Sequence, residues 1–434
     1  MVEVALLAIG VLVLLLTLGV PLPFCFGSAL MVMSLVGGVT MKGNMLWGFG
    51  QLANPVLLAI PLFVLAGTIM SHSGIAESLL RLVSTFVGRI RGGLGVVATV
   101  SCAIIGAISG SGLTGVAAIG PLLIPEMERK GYPRAYATAL VANSSILGLL
   151  IPPSVTMIVF GWVTDTSILA CFLATFVPGL VVMVLFSGVN LYQARKFDLV
   201  LDEPMTRTEF KKTIISRTRL ALPALLMPVM ILGGIYGGIM TPTEAAALAV
   251  VYAIPVGFWI YKGLTRKTLT EAGKEAGTAV GSIMFMILFS LILSQMFVME
   301  NIPQQLVETI FEVTDDKIIL LIMINVLLFL VGMVVNDVTA IILIGPLLLP
   351  LMEALGISPI QFAAIMGVNT AMGGVTPPYA SILYFASRIG NVKFVDVVRP
   401  AMTLLLFGYL PVVILVTFWS DLSLFLPRLF GYPV

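Results

Sequence analysis

Two short segments place hydroxyl, amide and glycine residues inside apolar sequence, where they could bind a cation. The first is Ser-Gly-Ser-Gly-Leu-Thr at 109–114, and the second is Asn-Asp-Val-Thr at 336–339. Each is followed by a polar segment, at 143–148 and at 369–374, that leads into a pair of prolines. Proline removes a backbone donor and glycine lets a helix unwind, so carbonyl oxygens become free. Such oxygens suit a hard cation such as sodium, and the half-helix N-termini suit an anionic group.

Asp337 is the most informative single residue of these segments. It lies among Val334, Val335, Val338 and Ile341, where a carboxylate is costly unless it is paired with a cation or a proton. Two roles fit the sequence. The first is ion coordination or hydrogen bonding at a hairpin tip, which we favour, and the second is capping of the helix that follows.

The composition indicates which elements must position these residues. Of the 434 residues, 59% are hydrophobic and 10% are charged, whereas about a quarter are charged in a soluble domain. Apolar stretches of about 18 or more residues recur along the chain, and each is long enough for a transmembrane helix. The chain is therefore predicted to be an all-α polytopic membrane protein.

The same composition argues against several functions. Cys25, Cys102 and Cys171 lie in apolar segments without paired spacing, and His72 is the single histidine, so neither a disulfide framework nor a zinc site is expected. The formal net charge of +2 and the dispersed basic residues argue against nucleic-acid binding. Neither a serine–histidine pair nor a pair of aspartates is recognisable, so the chain is predicted not to be an enzyme.

An internal repeat organises the chain. The segment Ile-Gly-Pro-Leu-Leu-Ile-Pro at 119–125 matches Ile-Gly-Pro-Leu-Leu-Leu-Pro at 344–350, an offset of 225. The same offset pairs Thr114 with Thr339, whereas Asn143 pairs with Asn369 at 226. We therefore predict a first repeat at 1–201, a cytoplasmic linker at 202–219 and a second repeat at 220–434.

Each repeat is predicted to contain an amphipathic arm, a re-entrant helical hairpin and a broken helix. In order, these lie at 75–90, 93–127 and 134–162 in the first repeat, and at 302–316, 318–352 and 358–386 in the second. A glycine-rich or polar tip is stable at membrane depth only where protein or water satisfies its backbone. An odd number of spans separates the hairpins, and the basic loops at 195–219 and 262–274 are assigned to the cytoplasm, so the repeats should be inverted.

The chain resembles a known family along essentially its whole length. Thr241-Pro242-Thr243-Glu244-Ala245 looks like the corresponding segment in the large membrane subunit of tripartite ATP-independent periplasmic (TRAP) transporters. Gly120-Pro121, the two Pro-Pro breaks, Asn54-Pro55 and Pro61-Leu62-Phe63 agree with this resemblance.

The resemblance implies a function, partners and a mechanism. The family uses a sodium gradient to take up organic anions, commonly C4-dicarboxylates, sialic acid or other carboxylated sugars. Substrate arrives on a periplasmic substrate-binding protein, and a small four-helix membrane subunit, which we expect to be a separate chain, pairs with the large one. The resemblance also implies a multi-pass protein of the bacterial inner membrane that works as an elevator, with a transport domain supported by arms and sliding against a scaffold.

The resemblance also indicates which residues form the site, and Na⁺ is the only metal ion expected there. The expected sodium ligands are Ser109, Ser111, Gly112, Thr114, Asn143, Ser144, Ser145, Asn336, Asp337, Thr339, Asn369, Gly373 and Thr376. Four of these, Ser111, Thr114, Asn336 and Thr339, are also the expected substrate contacts.

Three alternatives remain at this point. A stand-alone sodium/dicarboxylate symporter would share the inverted hairpins and need no binding protein, although the Thr-Pro-Thr-Glu-Ala segment favours the tripartite system. A channel would show a continuous polar stripe along a pore, whereas two broken helices favour an occluded site. A membrane-embedded enzyme would need the catalytic pair that we do not find.

Overall fold

The computed structural model describes residues 2–201, 206–314, 316–378 and 380–434, and these residues form helices and no strands. The predicted all-α class is therefore confirmed, while residues 202–205 of the predicted linker lie outside the described residues. The helices of the first half are α1 (Val2–Thr17), α2 (Leu22–Leu35), α3 (Met41–Leu52), α4 (Ala59–Ser73), α5 (Ile75–Val87), α6 (Gly93–Ser109), α7 (Gly112–Arg129), α8 (Arg134–Ser145), α9 (Leu147–Leu150), α10 (Val155–Val163) and α11 (Ile168–Gln193). Those of the second half are α12 (Arg207–Tyr236), α13 (Pro242–Pro255), α14 (Arg266–Met299), α15 (Ile302–Val313), α16 (Lys317–Val334), α17 (Asp337–Ala354), α18 (Pro359–Gly373), α19 (Ser381–Ile389), α20 (Phe394–Leu404), α21 (Leu410–Phe418) and α22 (Asp421–Leu429).

Many of these helices can cross a bilayer. Within the described ranges, nine helical segments are long and apolar enough to do so, which confirms the polytopic character. Helices α1, α2 and α6 are apolar but shorter. Because α16 and α17 have 18 residues each and reach the necessary length singly, the re-entrant path of the second hairpin remains a prediction.

In each segment where a hairpin is predicted, two helices join at a polar tip. Gly110 and Ser111 separate α6 from α7, and Val335 and Asn336 separate α16 from α17. Gly110 has a φ of +62°, in the left-handed region that side-chain-bearing residues rarely adopt, so the first tip requires glycine. The second tip is extended at both residues and has no such requirement.

Both expected helix breaks are present as well. In the first half, α9 ends at Leu150, and α10 begins at Val155 after the proline pair. In the second half, α18 ends at Gly373, and α19 begins at Ser381. The peptide bond between the two prolines is cis in each break.

In each half, the first hairpin helix crosses the broken helix with the two backbones in direct contact. A Cβ built on Gly106 would lie 2.2 Å from the Cα of Gly148, and one built on Gly373 would lie 2.1 Å from the carbonyl carbon of Gly332. Only glycine fits at such distances, and small residues allow this kind of close packing between membrane helices. Since Gly148 and Gly373 are 225 residues apart, the internal repeat is visible in the packing.

The two halves interlock through their broken helices. Helix α19 of the second half packs on α7 and α8, and α10 of the first half packs on α17. Helices α4, α13 and α14 pack beside this core, and α4 contacts α7 while α14 contacts α17. The predicted arms connect these layers, because α5 contacts α6 and α12, and α15 contacts α14 and α17.

Helix α12 begins inside the predicted linker, 202–219. The Thr206 hydroxyl accepts from the backbone N–H of Glu209 at 3.3 Å, and the Glu209 carboxylate accepts from the backbone N–H of Thr206 at 2.9 Å. This capping box starts the helix well before its apolar portion. Arg217 then donates to the Arg81 carbonyl at 2.8 Å and to the Thr85 hydroxyl at 2.9 Å. The described part of the linker is therefore largely a helix that is tied to the first arm.

Candidate functional site

A small cavity lies between the two hairpin tips and forms the centre of the candidate site. It has a volume of about 90 Å³. Ser111 and Gly112 line it from the first tip, Asn336 and Asp337 line it from the second, and Thr370 adds a hydroxyl from α18. Apolar side chains of α4 and α14 also line the cavity, so neighbouring spans complete the enclosure.

The first tip presents the start of α7. Ser111 precedes the helix in an extended conformation, and its side chain makes no capping hydrogen bond. The first turn of α7 carries no acidic residue. The positive end of the helix dipole therefore lies at the cavity without a capping side chain.

The second tip is capped and acidic. The Oδ1 of Asn336 accepts from the backbone N–H of Val338 at 3.1 Å, and Asp337 lies in the first turn of α17. Among the described residues, no basic side chain lines the cavity and none forms a salt bridge with Asp337. Equivalent positions of the two repeats thus present a free helix N-terminus and a carboxylate.

Two buried asparagines that are related by the repeat carry amide oxygens without a hydrogen-bond donor. The Nδ2 of Asn143 donates to the Ala139 carbonyl, and the Nδ2 of Asn369 donates to the Ile365 carbonyl, each at 2.9 Å. In the part of the chain that the structure describes, neither Oδ1 has a partner, and the hydroxyl of Thr339 also lacks one. An unpaired buried acceptor costs about 1–3 kcal/mol, so each amide oxygen suits a ligand with positive charge.

The other expected ligands on the broken helices are buried and already hydrogen-bonded. The hydroxyl of Ser144 lies 3.0 Å from that of Thr99. Ser145 and Thr376 each donate to a backbone carbonyl of the preceding turn at 2.8 Å. A hydroxyl that donates keeps its lone pairs, so these oxygens can still face a cation. Gly373 contributes the backbone crossing described above.

Ser109 and Thr114 lie against α4. A Cβ on Gly67 of α4 would lie 2.6 Å from the Cβ of Ser109 and 3.1 Å from the Cγ2 of Thr114. Neither residue lines the cavity, and the same is true of Thr339, which is fully buried. Of the four expected substrate contacts, the structure therefore brings Ser111 and Asn336 to the cavity.

Two polar residues of the site region, Ser381 and Asn325, were not indicated by the sequence patterns, and Thr370 lies in the polar segment 369–374 but was not among the expected ligands. Thr370 and Ser381 line the cavity, at the end of α18 and the start of α19. Their positions on either side of the second helix break are the sequence feature that points to them. Asn325 contacts Asn369, and the signal there was an amide in the otherwise apolar helix α16.

The arrangement supplies oxygen ligands for a hard cation beside a cavity that can hold a small solute. Amide, hydroxyl and freed carbonyl oxygens at broken helices are the ligands that sodium finds in secondary transporters. The described residues contain no group of three His, Cys, Asp or Glu side chains that could hold a metal ion. The orphaned amide oxygens are available as neutral oxygen ligands.

Comparison with known proteins identifies the relatives of the chain. A family model described as "Tripartite ATP-independent periplasmic transporter, DctM component" matches residues 9–422. The chain is 34% identical over 385 residues to the sialic acid TRAP transporter large permease protein SiaM of Vibrio cholerae, covering 88% of this chain and 89% of that one. It is 35% identical over 379 residues to the C4-dicarboxylate TRAP transporter large permease protein DctM of Pseudomonas aeruginosa, covering 86% and 87%.

A third relative is longer than this chain. It is the isethionate TRAP transporter permease protein DctMQ of Oleidesulfovibrio alaskensis, which is 33% identical over 401 residues. That match covers 92% of this chain and 63% of the relative, so the chain spans less than two thirds of the length of that protein. All three relatives are transport permeases, which confirms the prediction that the chain is not an enzyme.

The fold matches a solved membrane transporter. The YdaH transporter of Alcanivorax borkumensis superposes with a TM-score of 0.57 over 91% of this chain and 90% of that one, at 17% sequence identity. At this identity the likeness concerns the fold alone. It confirms that the chain has the architecture of a membrane transporter.

Proposed function

This chain belongs to the family of tripartite ATP-independent periplasmic transporters, as a DctM component of the bacterial inner membrane, and on that premise we propose that it catalyses sodium-coupled uptake of an organic anion. The anion is delivered by a periplasmic substrate-binding protein. A small four-helix membrane subunit completes the complex. Sodium is a co-transported ion in this proposal and not a resident cofactor.

The observation that carries the sodium proposal is the pair of orphaned amide oxygens. Asn143 and Asn369 occupy equivalent positions in the two repeats, and each leaves an Oδ1 unpaired in the protein interior. A polar group that is buried without a partner is costly, and a sodium ion would offset that cost. Because each repeat carries such an asparagine, we propose two ion sites, one in each repeat.

The charge of Asp337 also supports the proposal that sodium binds here. A carboxylate that lies between apolar spans without a basic partner needs a cation or a proton. One charge that moves down a potential of 100 mV releases about 2.3 kcal/mol. An anionic substrate reduces the net charge that moves with sodium, so the concentration gradient of sodium must contribute to the accumulation as well. We assign Asp337 to the ion site of the second repeat, together with Asn369.

The substrate is proposed to bind in the cavity between the tips. The uncapped start of α7 at Ser111 and Gly112 can receive a carboxylate or another small anionic group, because helix N-termini favour negative charge. The names of the relatives cover sialic acid, C4-dicarboxylates, isethionate and ectoine, each of which carries an anionic group. We propose a substrate of the C4-dicarboxylate or sialic acid class.

The proposed movement is an elevator. The two hairpins and the two broken helices interlock and would travel as one transport domain. Helices α4, α13 and α14, with α12, would form the scaffold. Helices α5 and α15, which contact both groups, would be the arms that permit the sliding.

Uptake into proteoliposomes tests this function. The chain is reconstituted with its small-subunit partner, and an inward sodium gradient and the cognate binding protein are varied independently. Radiolabelled succinate, N-acetylneuraminate and isethionate serve as probes. Uptake that requires both sodium and the binding protein is the expected result. Uptake with sodium alone would establish a stand-alone symporter and remove the binding protein from the proposal, and uptake that ignores sodium would remove the coupling.

A further inference from the structure

Asn325 forms a polar connection between three helices of the second half. Its Oδ1 accepts from the Nδ2 of Asn369 at 2.8 Å and lies 3.0 Å from the hydroxyl of Thr417 on α21. Its own Nδ2 donates to the Leu321 carbonyl at 2.7 Å. Asn369 is 1% exposed and Thr417 is 3% exposed, while Asn325 itself is half-buried.

We propose that Asn325, supported by Thr417, is a positioning residue that fixes the orientation of the Asn369 amide and thereby presents its oxygen to sodium. This inference rests on the sodium coupling proposed above. It adds two residues, on two further helices, that would act on the ion without touching it.

The orientation of each amide follows from the acceptors that surround it. A backbone carbonyl only accepts, so the Asn325 nitrogen faces the Leu321 carbonyl and the Asn325 oxygen faces Asn369. The nitrogen of Asn369 must then supply both of its hydrogens, one to Asn325 and one to the Ile365 carbonyl. With both hydrogens used, the Asn369 oxygen is left as an unpaired acceptor.

Among the described residues, the first repeat has no counterpart of the hydrogen bond between Asn325 and Asn369. Thr99 stands 226 residues before Asn325, the offset that also relates Asn143 to Asn369. Thr99 contacts the hydroxyl of Ser144, whereas the Asn143 nitrogen donates to a single carbonyl in the described structure. The orientation of the amide is therefore fixed more strongly in the second repeat, and loss of Asn325 should weaken one of two sodium sites.

The test measures the sodium response of the purified complex. Asn325→Leu removes the acceptor with little change in volume, and Thr417→Val removes the hydroxyl with almost none. Thr417→Ser keeps the hydroxyl and should restore the wild-type response. Thr403→Val is the matched control, because Thr403 belongs to the same membrane-spanning segment and also donates to a carbonyl one turn earlier, at 3.0 Å, without a contact to Asn325.

Two readouts separate positioning from a purely structural role. The first is the melting temperature in NaCl against N-methyl-D-glucamine chloride, and the second is the sodium concentration for half-maximal uptake of the transported probe. We expect Asn325→Leu to raise that concentration about tenfold, the value that corresponds to losing one hydrogen bond. Thr417→Val should raise it about two- to threefold, because its hydroxyl hydrogen is shared with the Val413 carbonyl at 2.8 Å.

Each outcome decides the inference. If Asn325→Leu melts earlier in the sodium-free buffer but keeps the wild-type sodium response, Asn325 is only structural and the inference is wrong. If Asn325→Leu does not fold, the sodium responses of Thr417→Val and Thr417→Ser are compared instead. Equal responses of these two variants would refute the positioning role of Asn325. A wild-type complex without any sodium response would refute the proposed coupling and this inference together.

Discussion

Replacement of Gly373 by alanine is expected to force apart the two helices that carry the second half-site. A Cβ at this position would lie 2.1 Å from both the carbonyl carbon and the carbonyl oxygen of Gly332, and 2.5 Å from its Cα. These are backbone atoms of α16, so no side-chain rotation can relieve the overlap. The helices α16 and α18 must separate for the new methyl group to fit.

The size of the effect can be worked from these distances. An ordinary contact of a Cβ begins at 3.4 Å, so the backbone at Gly332 must retreat by about 1.3 Å. Overpacking of this kind costs about 1–3 kcal/mol of stability. Ligand distances in ion sites are held to about 0.2 Å, so the shift would also disrupt coordination by Asn369, one turn earlier on α18. We expect a lower melting temperature and a sodium requirement for uptake at least tenfold higher, where about 1.4 kcal/mol corresponds to tenfold.

The assay compares Gly373→Ala with Gly345→Ala in the reconstituted complex. Gly345 lies in α17, where the atoms nearest to a new Cβ are side-chain atoms at 3.7–3.9 Å, which is ordinary contact. The control should therefore keep the wild-type melting temperature and sodium response. A Gly373→Ala complex that also keeps both would refute the close backbone crossing of α16 and α18, and with it the reasoning that links the crossing to the ion site.

Three further variants test other parts of the structure. Asp337→Ala should remain folded in the membrane and lose sodium-driven uptake or its coupling, and a variant with the wild-type sodium dependence would exclude Asp337 from the site. Thr241→Ala should lose the capping box of α13 and about 1 kcal/mol of stability, seen as a lower melting temperature that Thr241→Ser restores. Arg217→Gln should weaken the connection between α12 and the arm α5 and slow uptake, while the sodium concentration for half-maximal uptake stays unchanged.

The sequence indicated where the helices are interrupted because local chemistry decides those positions. The expected hairpin at 93–127 corresponds to α6 and α7, and the expected break in 134–162 falls between α9 and α10. Proline restricts the backbone and glycine permits conformations that other residues rarely adopt, so their repetition at an offset of 225 marks the same turns twice. The start of α12 inside the linker was missed because its polar first turns resemble a loop until the capping box is recognised.

The side-chain directions at the site could not be predicted in the same way. Thr114 and Thr339 are equivalent in sequence, yet Thr114 lies against Gly67 of α4, whereas Thr339 is buried with an unpaired hydroxyl. The direction depends on how each hairpin helix packs against its neighbours, which is tertiary information. Asn325 was missed for the same reason, because its sequence position does not show whether the amide points to lipid or to Asn369.

The most consequential difference between the repeats is a single substitution across the cavity. The offset of 225 pairs Gly112 with Asp337, so a glycine of the first repeat corresponds to an aspartate of the second. Both tips line one cavity, so this cavity has a free helix N-terminus on one side and a carboxylate on the other. Two acidic tips would repel an anionic substrate from both sides, and two neutral tips would leave sodium without a charged ligand. Under the proposed sodium-coupled uptake, one tip of each kind would let an anion and a cation occupy neighbouring positions.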